Sequence, residues 1–378
     1  MHRFIESIGR GRAQIARVGL LMTAGVLGSA RSVHGQWLEA HLEAAIPSDG
    51  PSYSVTRIAG VKVADDGTIW ILDQTERQLL RFAVNGNFLG TFGRPGEGPG
   101  ELSAPRLLGI RKDSIWVWDR GTSRISVFTS TGRFERSISV PISGTGVLLP
   151  SGGIAVMPLT TYGATPQEDV AAVWRVGPSG AIDTLLLVPR SYRVLRYALN
   201  GGLIVGRQPF DDAPLFVASS DGSRFVLVER RVSRQGRGQF RIRVRDHNGM
   251  TLLDRAYGYT PRPISKSDLA TAIANLAQGP SASPEGRRAI ESALFVPRHF
   301  TPVSSVVVGD NDDIWLRREE SHTGTATWTV LRSDGSVRGH VRLPREFMVT
   351  SANATRFAGV AIDQDYLPSV RVYRFSGN

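Results

Sequence analysis

Apolar and polar residues alternate along most of this chain in short runs, and turns rich in Gly, Asn and Asp separate the runs about every ten residues, the spacing of an all-β fold built from hairpins. Two stretches share one pattern. Ile69 to Phe88 reads IWILDQTERQLLRFAVNGNF and Ile115 to Phe134 reads IWVWDRGTSRISVFTSTGRF, in register 46 residues apart without a gap. A period of this length, with four short strands in each repeat, predicts propeller blades.

Blade one is predicted from Val55 to Phe92, with hairpin turns at DDG (65–67) and NGN (85–87), and blade two from Pro105 to Val140. A third blade, from Gly144 to Val188, carries a polar insertion from Leu159 to Asp169. Six strands follow between Arg193 and Tyr259, read as a short blade four (193–211) and a blade five opening at Asp212. The period then changes. Leu269, Ile273 and Leu276, then Ile290 and Leu294, fall at helical spacing, with Ser265 and Ser283-Pro284 as starts and Gly279-Pro280 as a break. This predicts a helical hairpin inserted at about 260–302 between two late blades. Blade pattern resumes at Val303, DDIWLRRE (312–319) echoes the repeat, and Phe347 to Phe375 supplies about three strands. The segment Trp37 to Pro47 offers the strand that would complete the last blade and close the ring. The expectation is an all-β chain forming a six-bladed β-propeller, with seven blades also compatible with the strand count.

Composition adds a compartment. Arg10, Arg12 and Arg17 precede an apolar run from Val18 to Leu27, and small residues lead to VHG before Gln36, the layout of a signal peptide over 1–35 with a single propeller domain over 36–378. That apolar run is short for a membrane span, and a periplasmic or secreted protein without a stable span after processing is expected. The chain has no Cys, so neither disulfides nor thiolate metal sites arise. Removing the five arginines and Glu6 of the leader from the formal charge of +11 leaves +7. The arginines are scattered and only three lysines occur after the leader (Lys62, Lys112 and Lys266), which argues for no nucleic-acid partner.

Candidate chemistry is sparse. No GxSxG, HExxH or HxH spacing occurs. Asp73 and Asp119 end equivalent strands, where a carboxylate caps the following turn or offers a ligand group. Arg77 and Arg124, near the ends of the same loops, are expected to pair with them. The connector GRPGEGPGEL (93–102) lacks the Gly-Lys-Ser/Thr ending of a phosphate loop, and Pro95 and Pro99 remove donors. It reads as a structured crossover with Arg94, Glu97 and Glu101 as candidate contacts. No cofactor is called for, although a channel Ca ion held by carboxylates would need no local motif.

The repeat, the connector and the Pro105 that follows it resemble NHL-type six-bladed propellers, in the branch of exported bacterial proteins of unassigned role. That resemblance implies binding of proteins, peptides or RNA, while related propellers include an amidating lyase and sugar lactonases. In a four-stranded blade, the loops joining strands two and three share one face with the links to the next blade. The connector, the loops after Asp73 and Asp119, the insertion 159–169, the loop 319–326 and the helical hairpin all fall there. The reading is an exported, non-catalytic propeller binding a protein, peptide or glycan through that loop-rich face, with Asp73, Arg77, Arg94, Glu97, Glu101, Asp119 and Arg124 as contact candidates. The alternative is a metal-dependent lyase or lactonase-like hydrolase acting in the central channel, which would show as three or more ligand side chains converging on the axis.

Overall fold

The computed structural model describes residues 31–32, 35–111, 113–141, 144–157, 170–189, 193–230, 238–318, 324–363 and 367–376. Nearly all of the predicted leader, the insertion 159–169 and most of the loop 319–326 lie outside the described residues. The chain enters through β1 (Arg31–Ser32), β2 (Glu39–Ile46) and a small hairpin of β3 (Asp49–Gly50) and β4 (Tyr53–Ser54). Blade one is β5 (Ile58–Val63), β6 (Ile69–Asp73), β7 (Gln78–Phe82) and β8 (Phe88–Phe92). Blade two is β9 (Pro105–Arg111), β10 (Ser114–Asp119), β11 (Arg124–Thr129) and β12 (Phe134–Ser139), and blade three is β13 (Thr145–Leu148), β14 (Ile154–Met157), β15 (Val170–Val176) and β16 (Ile182–Pro189). All neighbours within these blades are antiparallel.

The next pair, β17 (Val194–Leu199) and β18 (Gly202–Arg207), forms a two-stranded sheet of its own. This corrects the expected short blade four. Its apolar face is covered by helices instead of by a neighbouring blade, so the six strands divide as a hairpin and one full blade. Blade four is β19 (Leu215–Ala218), β20 (Arg224–Glu229), β21 (Gly238–Asp246) and β22 (Thr251–Tyr259), with β1 added in parallel along its outer edge. Then come α1 (Lys266–Leu276), a 3-10 turn at Gly279–Ala282 and α2 (Pro284–Ala293). Blade five is β23 (Ser305–Val308), β24 (Ile314–Arg318), β25 (Thr325–Leu331) and β26 (Val337–Pro344), and blade six is β27 (Phe347–Ala352), β28 (Arg356–Ile362), β29 (Pro368–Ser376) and β2. The fold is a six-bladed β-propeller with a helical insertion between blades four and five.

Closure uses both ends of the chain. Strand β2 pairs antiparallel with β29 from Glu39↔Ser376 to Ile46↔Val370. Just before it, the Gln36 carbonyl accepts from the His340 N–H at 2.9 Å and the Leu38 N–H donates to the His340 carbonyl at 2.8 Å, so the entering chain also spans the outer strand of blade five. Pairing the N-terminal strand into the last blade completes that sheet and ties the two ends of the chain together.

The core lies between blades. Trp70, Leu72, Leu108, Ile110 and Phe128 pack blade one on blade two, and Ala44, Val61, Ile71, Ala358 and Val370 pack blade six on blade one. Trp70, Trp116 and Trp315 occupy one repeat position in β6, β10 and β24 and are 1%, 1% and 0% exposed. Burying such a ring contributes roughly 3 kcal/mol by area, an upper figure. The Trp116 ring crosses Gly109 of the adjacent strand so closely that a Cβ there would lie 2.1 Å from it. At Gly132, where φ is +91°, a Cβ would lie 2.2 Å from the Phe92 ring of blade one. Glycine at these points lets aromatic rings of the repeat reach the neighbouring blade or the channel.

Candidate functional site

At the loop-rich end, the two repeat aspartates are capping groups. Asp73 is fully buried and accepts from the N–H groups of Thr56 (2.8 Å), Arg57 (3.3 Å), Thr75 (2.9 Å) and Glu76 (3.3 Å). Asp119, equally buried, accepts from Ser103 (2.7 Å), Ala104 (2.8 Å) and Gly121 (3.0 Å). Each carboxylate therefore ties its own loop to the link entering the blade. Arg77 and Arg124 do not pair with them, against expectation, because backbone donors already occupy the carboxylate oxygens. The Arg124 guanidinium instead donates to the carbonyls of Glu97, Gly98 and Glu101 at 2.7, 2.6 and 2.8 Å and pins the glycine-rich connector. Arg94 Nε donates to Glu101 Oε1 at 2.8 Å, and Glu101 Oε2 accepts from the Gly98 N–H at 2.7 Å. The Gly98 amide first, and Arg94 second, hold the Glu101 carboxyl below the usual range. Arg77, Arg94 and Glu97 are exposed on this face, while Glu101 and Arg124 are partly buried within the connector.

Among the described residues, the largest construction at this end is a cap made from two consecutive links. The link between blades three and four contributes β17 and β18, and the link between blades four and five contributes α1 and α2. Ser265 and Ser283 cap the two helices as predicted, Ser265 in a reciprocal capping box with Asp268. Ile273, Ala277 and Ile290 close over Leu195, Tyr197 and Leu199 of β17. The amide of Gln208 joins the two links from both ends, donating to the Ala293 carbonyl at 2.9 Å and accepting from the Phe295 N–H at 3.0 Å. Tyr197 and Ser281 share a hydrogen bond of 2.8 Å. The helices thus pack on the hairpin. Strand β18 lies at the outside, with Leu203 67%, Ile204 40% and Val205 38% exposed.

The opposite end of the channel holds a polar cluster that sequence reasoning did not find. The turns after the innermost strands of the blades are stitched together there. The Val63 N–H donates to Ser351 Oγ at 3.1 Å, Arg111 donates to the carbonyls of Leu149 and Pro150 at 2.8 and 2.6 Å, and the Asp310 N–H donates to the Ala352 carbonyl at 2.8 Å. Trp116 Nε1 reaches across from blade two to the Ser220 carbonyl of blade four at 2.9 Å. The Ser220 hydroxyl donates to the Asp310 carboxylate, and Arg224 Nη2 donates to Asp312 Oδ2 at 3.0 Å. Lys62 points into this assembly and makes no ion pair among the described residues.

Desolvation is the main influence on the central groups. It lowers the Lys62 ammonium below its ordinary value, with Asp310 and Asp221 opposing, and raises the Asp310 carboxyl, with Lys62 and Ser220 opposing. Burial also works against ionisation of Asp221, but donors from Ser219 and Ser223 outweigh it and hold that carboxyl low. Asp310 is nonetheless exposed and Lys62 half-buried, so both touch solvent. Beside them a cleft between blades four and five is walled by the Arg224–Asp312 pair and floored by Val226, Val244 and Ile314. Among the described residues no three His, Asp or Glu side chains form a group able to hold a metal ion. No helix among them is long and apolar enough to cross a membrane.

Blade count, register and closure define a six-bladed propeller. A family described as 6-bladed beta-propeller matches residues 51–144, which are blade one, the connector and blade two. Among solved structures, the fold is similar to a candidate exported protein of Bacteroides fragilis (TM-score 0.48, 11% identity, 90% of this chain and 95% of that one). It is also similar to virginiamycin B lyase of Staphylococcus aureus (TM-score 0.42, 12% identity, 88% and 99%). At these identities the likeness concerns fold alone. No curated protein matches the sequence.

Proposed function

We propose that this chain is an exported binding propeller that recognises a protein, peptide or glycan through its loop-rich face. The observation that carries the reading is the cap. Two successive interblade links, separated by the whole of blade four, pack on each other at one end and present a strand there that no other described strand pairs. Loops on a rigid scaffold are where recognition is built. Arg77, Arg94 and Glu97, exposed on the same face, are contact candidates beside the cap, whereas Asp73, Asp119, Glu101 and Arg124 shape the loops that present them. The apolar run from Val18 to Leu27 after three arginines supports export.

The test removes 193–208 and 264–295 together, each replaced by a short Gly-Ser linker. The expected result is a propeller with unchanged β circular dichroism and cooperative unfolding that no longer captures the partner held by the intact chain. Undiminished capture would move recognition away from the cap. A second reading, a small polar ligand handled in the channel, is favoured by Lys62, which lies near Asp310 without an ion pair among the described residues. It predicts that Lys62→Met abolishes ligand binding while the cap deletion leaves it intact.

A further inference from the structure

Among the described residues, strand β18 is an open sheet edge with an apolar centre. The two-residue turn Asn200-Gly201, with φ of 51° and 75°, joins it to β17 in the register Leu199↔Gly202, Tyr197↔Ile204 and Leu195↔Gly206. In such a hairpin the pair flanking the turn is hydrogen-bonded and the pattern then alternates. Gly202, Ile204 and Gly206 therefore turn their backbone groups toward β17, and Leu203, Val205 and Arg207 turn theirs outward. Among the described residues no strand lies along that outer edge. Side chains follow the same phase. Leu203 and Val205 share the exposed face with Ala198, Arg196 and Arg207, while Ile204 points to the helix side between two glycines that leave room around it.

Natural proteins usually blunt such edges with charge, proline or a cover. Here the charge stands beside the apolar triad instead of within it. Arg196 and Arg207 are exposed and make no ion pair with any described carboxylate, unlike Arg193, which is held by Asp212 at 3.0 Å. The edge is thus complementary to an acidic partner.

We propose that β18 takes an extended peptide segment of a partner protein as an added antiparallel strand, read as an acidic residue, one residue of any kind, then three apolar residues. This rests on the reading that the cap is the recognition element, and it specifies the form of the partner. The acidic residue lies opposite Arg207. The first and third apolar residues lie opposite Val205 and Leu203 and exchange backbone hydrogen bonds with them, and the middle one lies opposite Ile204 in the glycine-flanked notch. Main-chain bonds supply affinity and alternate side chains supply selectivity, as in other strand-addition sites.

The probe is a fluorescein-labelled peptide, Glu-Glu-Thr-Val-Ile-Val-Thr-Ser, titrated with the full chain by anisotropy, with its reversed sequence as control. Saturable binding that weakens with added salt is expected, at least tenfold tighter than for the reversed peptide. Val205→Pro removes an outward N–H without breaking the β17 ladder, and Arg207→Glu reverses the flanking charge. Each should weaken binding at least tenfold with circular dichroism unchanged. Absence of saturable binding, or equal binding by Val205→Pro, overturns the proposal. So does sedimentation showing a wild-type dimer that Val205→Pro converts to monomer, which would give the edge to a second copy. If deleting the cap abolishes capture of the native partner while Val205→Pro retains it, the strand-addition proposal fails and the binding reading stands. If neither change affects capture, both fail.

Discussion

Asp73 and Asp119 show how much one residue position can disclose. Their place at the end of the second strand, 46 residues apart, was legible as a capping site. What the spacing could not disclose is that two donors to each come from the link before the blade, Thr56 and Arg57 for one and Ser103 and Ala104 for the other. Those donors displaced the expected arginine pairing. Since Asp119 is fully buried with three backbone donors, Asp119→Ala should cost about 2–4 kcal/mol in urea unfolding. A loss below about 0.5 kcal/mol, the range of ordinary surface changes, would contradict the capping role. Lys62, Asp221 and Asp310 were illegible for another reason. Each sits in or beside an unremarkable turn or strand, and only closure of the ring brings blades one, four and five to one mouth. Because burial raises the Asp310 carboxyl above its ordinary value, the folded chain binds that proton more readily than the unfolded chain. This contribution to stability therefore grows as pH falls from neutrality toward that ordinary value. The stability of wild type relative to Asp310→Asn should shift in favour of wild type over that range, and a pH-independent difference would show that Asp310 titrates normally.

At the scale of elements, the helices were legible from their period and their Ser caps, and the blades from alternation and turns. The β17–β18 hairpin reads in the sequence as part of a blade because VLRYALNGGLIVGR has the alternation and Asn-Gly turn of any blade hairpin. Whether such a hairpin is completed by strands or covered by helices is a tertiary choice, decided here by Ile273 and Ile290 against Leu195, Tyr197 and Leu199. That choice has a consequence for deletion. Removing 264–295 alone strips the cover from three buried residues of β17, so this variant should aggregate or bind a hydrophobic dye while the double deletion stays monodisperse. Equal behaviour of the two variants in light scattering would show that the helices do not protect the hairpin.

For the whole molecule, the repeat predicted the ring and the spare N-terminal strand predicted how it closes. Strand β2 buries Ala44 and Ile46 against Val61, Ile71 and Val370 and supplies the outer ladder of blade six. Glu43 also binds Arg356 Nε at 2.7 Å and Arg374 Nε at 3.3 Å. Deleting 37–47 should therefore lower the melting temperature by more than about 10 °C or leave an aggregating product, as loss of a closing strand requires. An unchanged melting temperature would mean that the ring does not depend on this strand.

Closure makes the two ends of the ring independent surfaces, and the proposed recognition belongs to the end that carries the cap. A photo-reactive amino acid placed at Leu203 or Arg287 on the cap, or at Asn85 or Asp334 on the turns of the opposite face, reads this directly in the native host. Recognition at the capped end predicts a discrete covalent adduct with one partner from both cap positions and none from the opposite turns. Adducts from Asn85 or Asp334, with the cap positions silent, would contradict it.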